Sequence, residues 1–180
     1  MVLSCENSRQ GDTATVNPLT PPHSHHLSAA QGWMELGNHL EASAELDKIT
    51  PELRAHPDVL EIRWQIQAKD NRWKDCEAIG HAIIEADPNR PSGWLNQATA
   101  LRQQGKFKEA YANLYVVFDD FPDNWHVPYD LARYSALLGE LGEAKEWFKK
   151  ATLIDERTVQ KAGVDDPDLK PMWDSFQTPI

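Results

Sequence analysis

The sequence predicts an all-α fold, a right-handed α-solenoid of four helix–turn–helix hairpins followed by a C-terminal capping helix. Two observations predict it. Turn-forming residues recur at one fixed spacing, and small or apolar residues recur at constant distances from each turn. Because one hairpin cannot bury its apolar face alone, hairpins that repeat in this way stack on one another.

Residues that tolerate a left-handed backbone mark the turns. Gly37, Asn71, Gly105 and Gly139 each stand 34 positions after the one before. Glycine and asparagine are the residues that most readily end a helix in the left-handed conformation. The pattern therefore predicts four equivalent turns, each between two antiparallel helices.

Small and apolar residues stand in register with these turns. Five positions after each turn comes a small residue: Ala42, Cys76, Ala110 or Ala144. Twelve positions after each turn comes Ile49, Ile83, Val117 or Ala151. Small side chains at such positions let two helices approach closely, since a bulky group would push them apart.

The spacing and the columns resemble the tetratricopeptide repeat, whose period is 34 residues. The resemblance covers about residues 23–156, with approximate repeats 23–56, 57–90, 91–124 and 125–158. The third repeat matches the family best, at Trp94, Ala98, Leu101, Gly105, Phe107, Ala110, Leu114 and Pro122.

Two residues of the second repeat depart from the family pattern. Trp64 occupies a column that is usually small, so we expect this hairpin to pack more loosely or to bend. Gly80 stands where the other repeats carry a large apolar residue, and we expect it to make room for the indole. Pro51 ends the second helix of the first repeat near residues 49–50, because proline cannot continue the helical hydrogen bonds.

The two ends of the chain lie outside the repeats. Residues 1–22 are polar, contain three prolines near their end and show no helical or strand period, so we expect a disordered leader. Residues 159–180 form a C-terminal cap or tail, in which Leu169, Met172, Trp173 and Phe176 share one apolar side at helical spacing. This segment either covers the open end of the stack or docks into a groove of its own or a neighbouring chain.

The C-terminal stretch Asp-Asp-Pro-Asp-Leu-Lys-Pro-Met-Trp, together with residues 51–61 and 129–134, resembles a set of small bacterial tetratricopeptide proteins. This resemblance implies a bacterial, cytoplasmic protein and supplies no activity.

Composition excludes some partners. The net charge is −10, and a nucleic-acid phosphate backbone or an anionic membrane surface requires a basic face. No apolar run approaches the ~20 residues of a membrane span. We therefore expect neither nucleic acid nor membrane as a partner, and two cysteines fit a reducing compartment such as the cytoplasm.

The first helix of each repeat lines the groove of such a solenoid. The side chains left over after the packing columns are assigned form the predicted partner-binding groove. They are Leu27, Gln31, Met34, Glu61, Gln65, Lys69, Leu95, Asn96, Thr99, Arg102, Tyr129, Asp130 and Arg133. This mixture of apolar, amide and charged groups suits a peptide or a helix of another protein.

Some tetratricopeptide domains grip a C-terminal carboxylate with a clamp of Lys, Asn and Arg. Leu27 and Ile62 occupy columns where that clamp needs polar groups, so we expect no clamp of that kind. Lys69, Arg102 and Arg133 could still attract an acidic segment, since arginine is favoured at such contacts.

No catalytic constellation stands out in the sequence. His23, His25 and His26 form the only histidine cluster, and it lacks further ligands at the spacing of a metal site. The leading hypothesis is a non-enzymatic scaffold without a cofactor that binds a protein segment in its groove. The alternatives are a self-assembly module, and a metal-handling protein that uses the N-terminal histidines.

Overall fold

The computed structural model describes residues 16–175. All regular elements in this part of the chain are helical, and each of the four hairpins pairs a first helix with an antiparallel second helix. The first helices are α1 (His23–Glu35), α3 (Pro57–Lys69), α5 (Pro91–Gln103) and α7 (His126–Leu137). The second helices are α2 (His39–Asp47), α4 (Trp73–Ala86), α6 (Phe107–Tyr115) and α8 (Leu141–Ile154).

Helices α9 (Glu156–Val164) and α10 (Lys170–Asp174) follow the fourth hairpin, and two short 3-10 helices, Pro51–Leu53 and Phe118–Asp120, follow α2 and α6. The α-solenoid of four hairpins is thus confirmed. Helix α2 ends at Asp47, slightly before the position predicted from Pro51.

The four predicted turns have the same backbone conformation. Gly37, Gly105 and Gly139 have φ values of 75°, 75° and 84°, and Asn71 has a φ of 56°. In each turn, the N–H of this residue bonds the carbonyl three positions earlier, and the next N–H bonds the carbonyl five positions before it. This pair of bonds is the Schellman motif, which satisfies the last carbonyls of a helix when one residue is left-handed.

The small column packs at the centre of each hairpin. Ala42, Cys76, Ala110 and Ala144 are all fully buried, as are Ile49, Ile83 and Ala151 of the other column. The column positions are therefore filled in the way that the periodicity predicts.

Two apolar cores follow one another along the solenoid. The first core lies between the first two hairpins and includes Leu46, Ile49 and Val59. The second core joins the last two hairpins to α9 and α10, and includes Leu131 and Met172.

Glycines bring α4 and α5 into close contact between the two cores. A Cβ atom on Gly80 would lie 2.8 Å from the Cα of Gln97, and one on Gly93 would lie 2.9 Å from a methyl group of Ile83. The three atoms nearest to a Cβ on Gly80 all belong to Gln97 on α5 and not to Trp64. The missing side chain instead lets two successive hairpins approach closely.

Helices α9 and α10 pack on the end of the fourth hairpin. Leu169 and Met172 are buried, and the Trp173 ring lies edge-on to Phe148 at 5.1 Å between centroids. The Trp173 indole N–H donates to the carbonyl of Gly163 at 2.8 Å, which ties α10 to α9.

The N-terminal part of the described chain also has contacts. Leu19 packs on the first core, and the carbonyl of Asn17 lies 3.0 Å from Nε2 of His56. These residues belong to the segment expected to be disordered, of which residues 1–15 lie outside the described part of the chain.

Candidate functional site

The first helices of the four hairpins carry two contrasting sites. Helices α1 and α3 border an empty cavity of about 760 Å³, which we call the open cleft. Helices α5 and α7 carry two arginines that are covered by residues 165–168 of the same chain. We call these arginine–carboxylate contacts the acidic clasp. The two sites differ in both chemistry and accessibility.

The open cleft combines apolar, amide and charged groups. Its lining consists of Gln31, Met34, Glu35, Ile62, Trp64, Gln65, Ala68 and Lys69. Four of these residues, namely Gln31, Met34, Gln65 and Lys69, belong to the predicted groove. Apolar walls with a few polar groups are typical of a concave binding site.

Trp64 is the largest of the four lining residues that sequence reasoning left out of the cleft. Its ring is partly buried, and its indole N–H is inaccessible to solvent with no hydrogen-bond acceptor among residues 16–175. The sequence did contain a feature that could have predicted this position. A large indole stands in a column that is usually small, so its ring must lie in the space between hairpins. Ile62, Glu35 and Ala68 stand next to predicted groove residues in the sequence.

The acidic clasp joins α5 and α7 to the loop between α9 and α10. One carboxylate oxygen of Asp168, Oδ2, accepts hydrogen bonds from Nη1 of Arg102 and from Nη2 of Arg133, both at 2.7 Å. The hydroxyl of Tyr129 donates to Asp166 at 2.7 Å, and Asp166 lies 3.2 Å from Nε of Arg133. Arg133 also donates to Asp130 of its own helix at 2.9 Å.

Burial and charge act together on the groups of the clasp. Burial raises the pKa of Asp130 above its ordinary value, although Arg133 opposes this effect. Burial acts to lower the pKa of Arg133, but the carboxylates of Asp130 and Asp166 outweigh it and raise that pKa. Burial, followed by the hydrogen bond to Asp166, raises the pKa of Tyr129. The arginine therefore stays charged, and the tyrosine stays a neutral donor.

The clasp does not use every arginine donor. The Nε–H of Arg102 is shielded from solvent and has no acceptor within the described residues. A guanidinium presents five N–H donors in a planar fork that can hold a carboxylate through two of them. In Arg102, the fork contributes one bond to the clasp.

Other predicted groove residues are used within the fold. Leu27, Tyr129 and Asp130 are buried, so their side chains offer little surface. The carboxylate of Glu61 lies 3.0 Å from Nη1 of Arg90 and also accepts from Ser92. Leu95, Asn96 and Thr99 are partly buried on α5.

The N-terminal histidines do not converge on one point. Nδ1 of His26 lies 3.0 Å from a carboxylate oxygen of Glu45 on α2. Within residues 16–175, His, Cys, Asp and Glu side chains form no group of three that could hold a metal ion. No helix in the same range is long and apolar enough to cross a bilayer.

The comparisons with known proteins agree with this architecture. The family model of the tetratricopeptide repeat matches residues 101–162. No curated protein sequence matches the chain. The similar solved structures include the MamA fragment from residue 41 to its end of Desulfovibrio magneticus RS-1, with 16% identity, a TM-score of 0.66, and coverage of 89% of this chain and 94% of that one.

MamA of MSR-1 is similar as well, with 19% identity, a TM-score of 0.62, and coverage of 76% of this chain and 78% of that one. A MamA RS-1 double mutant shares 14% identity with a TM-score of 0.64, and the alignment covers 81% of this chain and 79% of that one. At these identities the likeness concerns the fold alone.

Four stacked hairpins with identical turns, and a groove along their first helices, define a helical repeat protein of the protein-interaction type. The period of 34 residues and the match of the family model identify the type of helical repeat. Residues 101–162 thus match the tetratricopeptide repeat, and the hairpins before them have the same period and the same turns.

Proposed function

We propose that this protein is a non-enzymatic scaffold that binds a peptide or a helix of a partner protein in the open cleft. The observation that carries the proposal is the cavity of about 760 Å³ between α1 and α3. It lies on the first helices, where the repeat pattern leaves side chains free, and its walls are not filled by other parts of the described chain. A reducing cytoplasm is the compartment that we propose for it.

The lining suits a protein segment better than a small charged ligand. Met34, Ile62 and Trp64 provide apolar contacts, and Gln31 and Gln65 provide amide donors and acceptors for a backbone or a polar side chain. Glu35 and Lys69 carry opposite charges, so the cleft has no strong preference for either sign. An amphipathic segment that places its apolar side in the cleft matches this arrangement.

Site-specific photocrosslinking in cells tests the proposal. A photoreactive residue replaces Gln65 in the cleft, and in a control chain it replaces Lys149, which is exposed on the second helix α8. We expect a defined adduct with a partner protein from position 65 and not from position 149. Met34→Glu in the same chain should remove the adduct, since a carboxylate would be placed among apolar groups.

The proposal fails if position 65 gives no adduct, or if the Met34→Glu variant gives the same adduct as the parent chain. Ala112→Glu adds the same single negative charge at an exposed site on α6 and serves as the matched control. It should leave the adduct unchanged. Circular dichroism of both variants separates the loss of binding from the loss of fold.

A second candidate function, self-assembly, is favoured by two exposed leucines. Leu36 and Leu40 are 76% and 75% exposed at the turn of the first hairpin. We propose that they contribute to a contact between copies if the chain forms oligomers. Light scattering of the parent chain and of Leu36→Ser/Leu40→Ser tests this. A monomer at the highest soluble concentration would remove self-assembly from consideration.

A further inference from the structure

The loop at residues 165–168 contacts the first helices of the last two hairpins through its carboxylates. Asp166 and Asp168 supply its bonds to Tyr129, Arg102 and Arg133. Asp168 also donates its own backbone N–H to Asp166 at 2.9 Å, which holds the two carboxylates on one side of the loop. The loop therefore presents two carboxylates, two positions apart, to two arginines on successive first helices.

The apolar anchors of this region lie on either side of the loop. Leu169 and Met172 are buried beyond its end, and Gly163 is packed against Phe148 before its start. Within and beside the loop, Val164, Asp165 and Pro167 are exposed. The backbone carbonyls of Asp166 and Pro167 accept hydrogen bonds from the N–H groups of Leu169 and Lys170, so the loop also has backbone bonds to the start of α10. The exchange that we consider releases the side chains of Asp166 and Asp168 from the arginines and keeps this backbone turn.

The charges of the site determine how another ligand could enter. Arg102 and Arg133 face the carboxylates of Asp130, Asp166 and Asp168, so the negative charges already exceed the positive ones. A further anion cannot be added to this arrangement without repulsion. An incoming acidic segment must take the place of the loop.

We propose that Arg102, Arg133 and Tyr129 form a binding site for an acidic segment of a partner protein. The segment carries two carboxylates two positions apart, and it exchanges with the chain's own Asp166 and Asp168. The bound loop shows the chemistry that the site accepts. The unused Nε–H of Arg102 gives an incoming carboxylate a donor that the loop does not use. An incoming carboxylate can therefore form one hydrogen bond that the loop does not form.

This site is separate from the open cleft in its residues and its charge. None of the three residues lines the cleft between α1 and α3. The two proposals can therefore fail independently, and a substitution in the clasp tests only the acidic site.

A labelled peptide tests the proposal on the full chain. The probe is a fluorescent peptide with the sequence of residues 163–169, and the control probe carries asparagine at each aspartate. In Asp166→Ala/Asp168→Ala, the loop no longer holds the arginines, so we expect the acidic probe to bind at least about tenfold more tightly than to the parent chain. Asp165→Ala changes an exposed aspartate of the same loop and should bind as the parent does.

Removing the arginines provides the second arm. Arg102→Gln/Arg133→Gln, added to the loop variant, should abolish binding of the acidic probe. Raising the salt concentration should weaken binding to the loop variant, because charged contacts are screened. The proposal is overturned if the loop variant binds no better than Asp165→Ala, if binding survives loss of both arginines, or if the asparagine probe binds equally well.

The unmodified chain offers a measurement that does not depend on folding of the variants. In a nuclear magnetic resonance titration with excess acidic probe, the Nε–H resonances of Arg102 and Arg133 should shift as the loop is displaced. The asparagine probe should leave them unchanged. Resonances that stay in place at saturating probe would show that the loop is a permanent part of the fold, and would overturn the proposal.

Discussion

Asp168 lies 2.7 Å from Arg102, a residue that precedes it by 66 positions. This contact joins the loop between α9 and α10 to α5 of the third hairpin. The same carboxylate also binds Arg133 on α7. The side chains of Arg102 and Asp168 are 19% and 14% exposed, so water screens the pair only weakly. The contact therefore fixes two successive hairpins relative to one another.

Replacing Asp168 should destabilise the protein. In Asp168→Asn, the side chain keeps its size, but two partly buried guanidinium groups lose a shared negative partner. We expect a loss of about 2 kcal/mol in the free energy of unfolding, since an uncompensated buried charge is costly. Urea denaturation measures it. Asp165→Asn, on the exposed side of the same loop, should have little effect, and equal losses in both variants would contradict the clasp.

Adding a methyl group at Gly80 should separate α4 from α5. The new Cβ would lie 2.8 Å from the Cα of Gln97, so the helices must move apart. Overpacking costs about 1–3 kcal/mol, and the better helix propensity of alanine returns about 1 kcal/mol. We expect Gly80→Ala to lower the free energy of unfolding by up to about 2 kcal/mol.

Gly32 provides the control for this substitution. It also lies within a helix, α1, but a Cβ there would have no heavy atom within 4 Å. Gly32→Ala should therefore stabilise the protein by up to about 1 kcal/mol through helix propensity. The interpretation fails if both variants change stability in the same direction.

The turn residues should respond to substitution according to backbone conformation alone. Gly105 has a φ of 75°, and a Cβ there would have no heavy atom within 4 Å. Gly105→Ala should lower the free energy of unfolding by about 1 kcal/mol, because an L-residue is strained in the left-handed region.

Asn71 already adopts this region with a φ of 56°. Asn71→Gly should change stability by less than about 0.5 kcal/mol, because relief of strain is offset by chain entropy. Thermal denaturation of both variants checks this difference.

Stability should fall at alkaline pH because of the tyrosines. Burial, and then the hydrogen bond to Glu143, raise the pKa of Tyr111 to about 12, and burial also raises the pKa of Tyr129 and Tyr134. In the unfolded chain these groups ionise near pH 10. The folded state favours their neutral form, so their contribution is complete below about pH 10 and is lost as the pH rises toward the folded-state pKa values.

Two measurements check the alkaline behaviour. Ultraviolet absorbance of tyrosinate should show that three of the four tyrosines resist ionisation in the folded protein. Denaturant unfolding should show a decreasing free energy of unfolding above about pH 10. Tyr111→Phe should make this decrease shallower. A free energy of unfolding that rises with pH in this range would contradict the assignment.

The period of the sequence predicted the fold because it reports local geometry. Gly37, Asn71, Gly105 and Gly139 end helices by a conformation that the residue type itself favours, and the small columns follow from the contact between neighbouring helices. Both signals lie within one repeat. They could therefore be read without knowing how distant parts of the chain meet.

The candidate site could be predicted only in part. Gln31, Met34, Gln65 and Lys69 line the open cleft as their positions on the first helices indicated. Arg102 and Arg133 were expected to attract an acidic segment, but the identity of that segment as the chain's own residues 165–168 depends on a return over 66 positions. Neither periodicity nor composition encodes such a contact. The position of Trp64 in the cleft likewise depends on how two hairpins share space.

The separation of the two apolar cores affects the cooperativity of unfolding. The smaller core holds α1–α3, and the larger core holds the last two hairpins with their cap. Helix α4, which packs closely on α5 at two glycines, lies between them. We predict that the two cores open in separate steps. A ligand in the open cleft would slow amide hydrogen exchange in the smaller core, whereas a ligand on the arginines would act on the larger core.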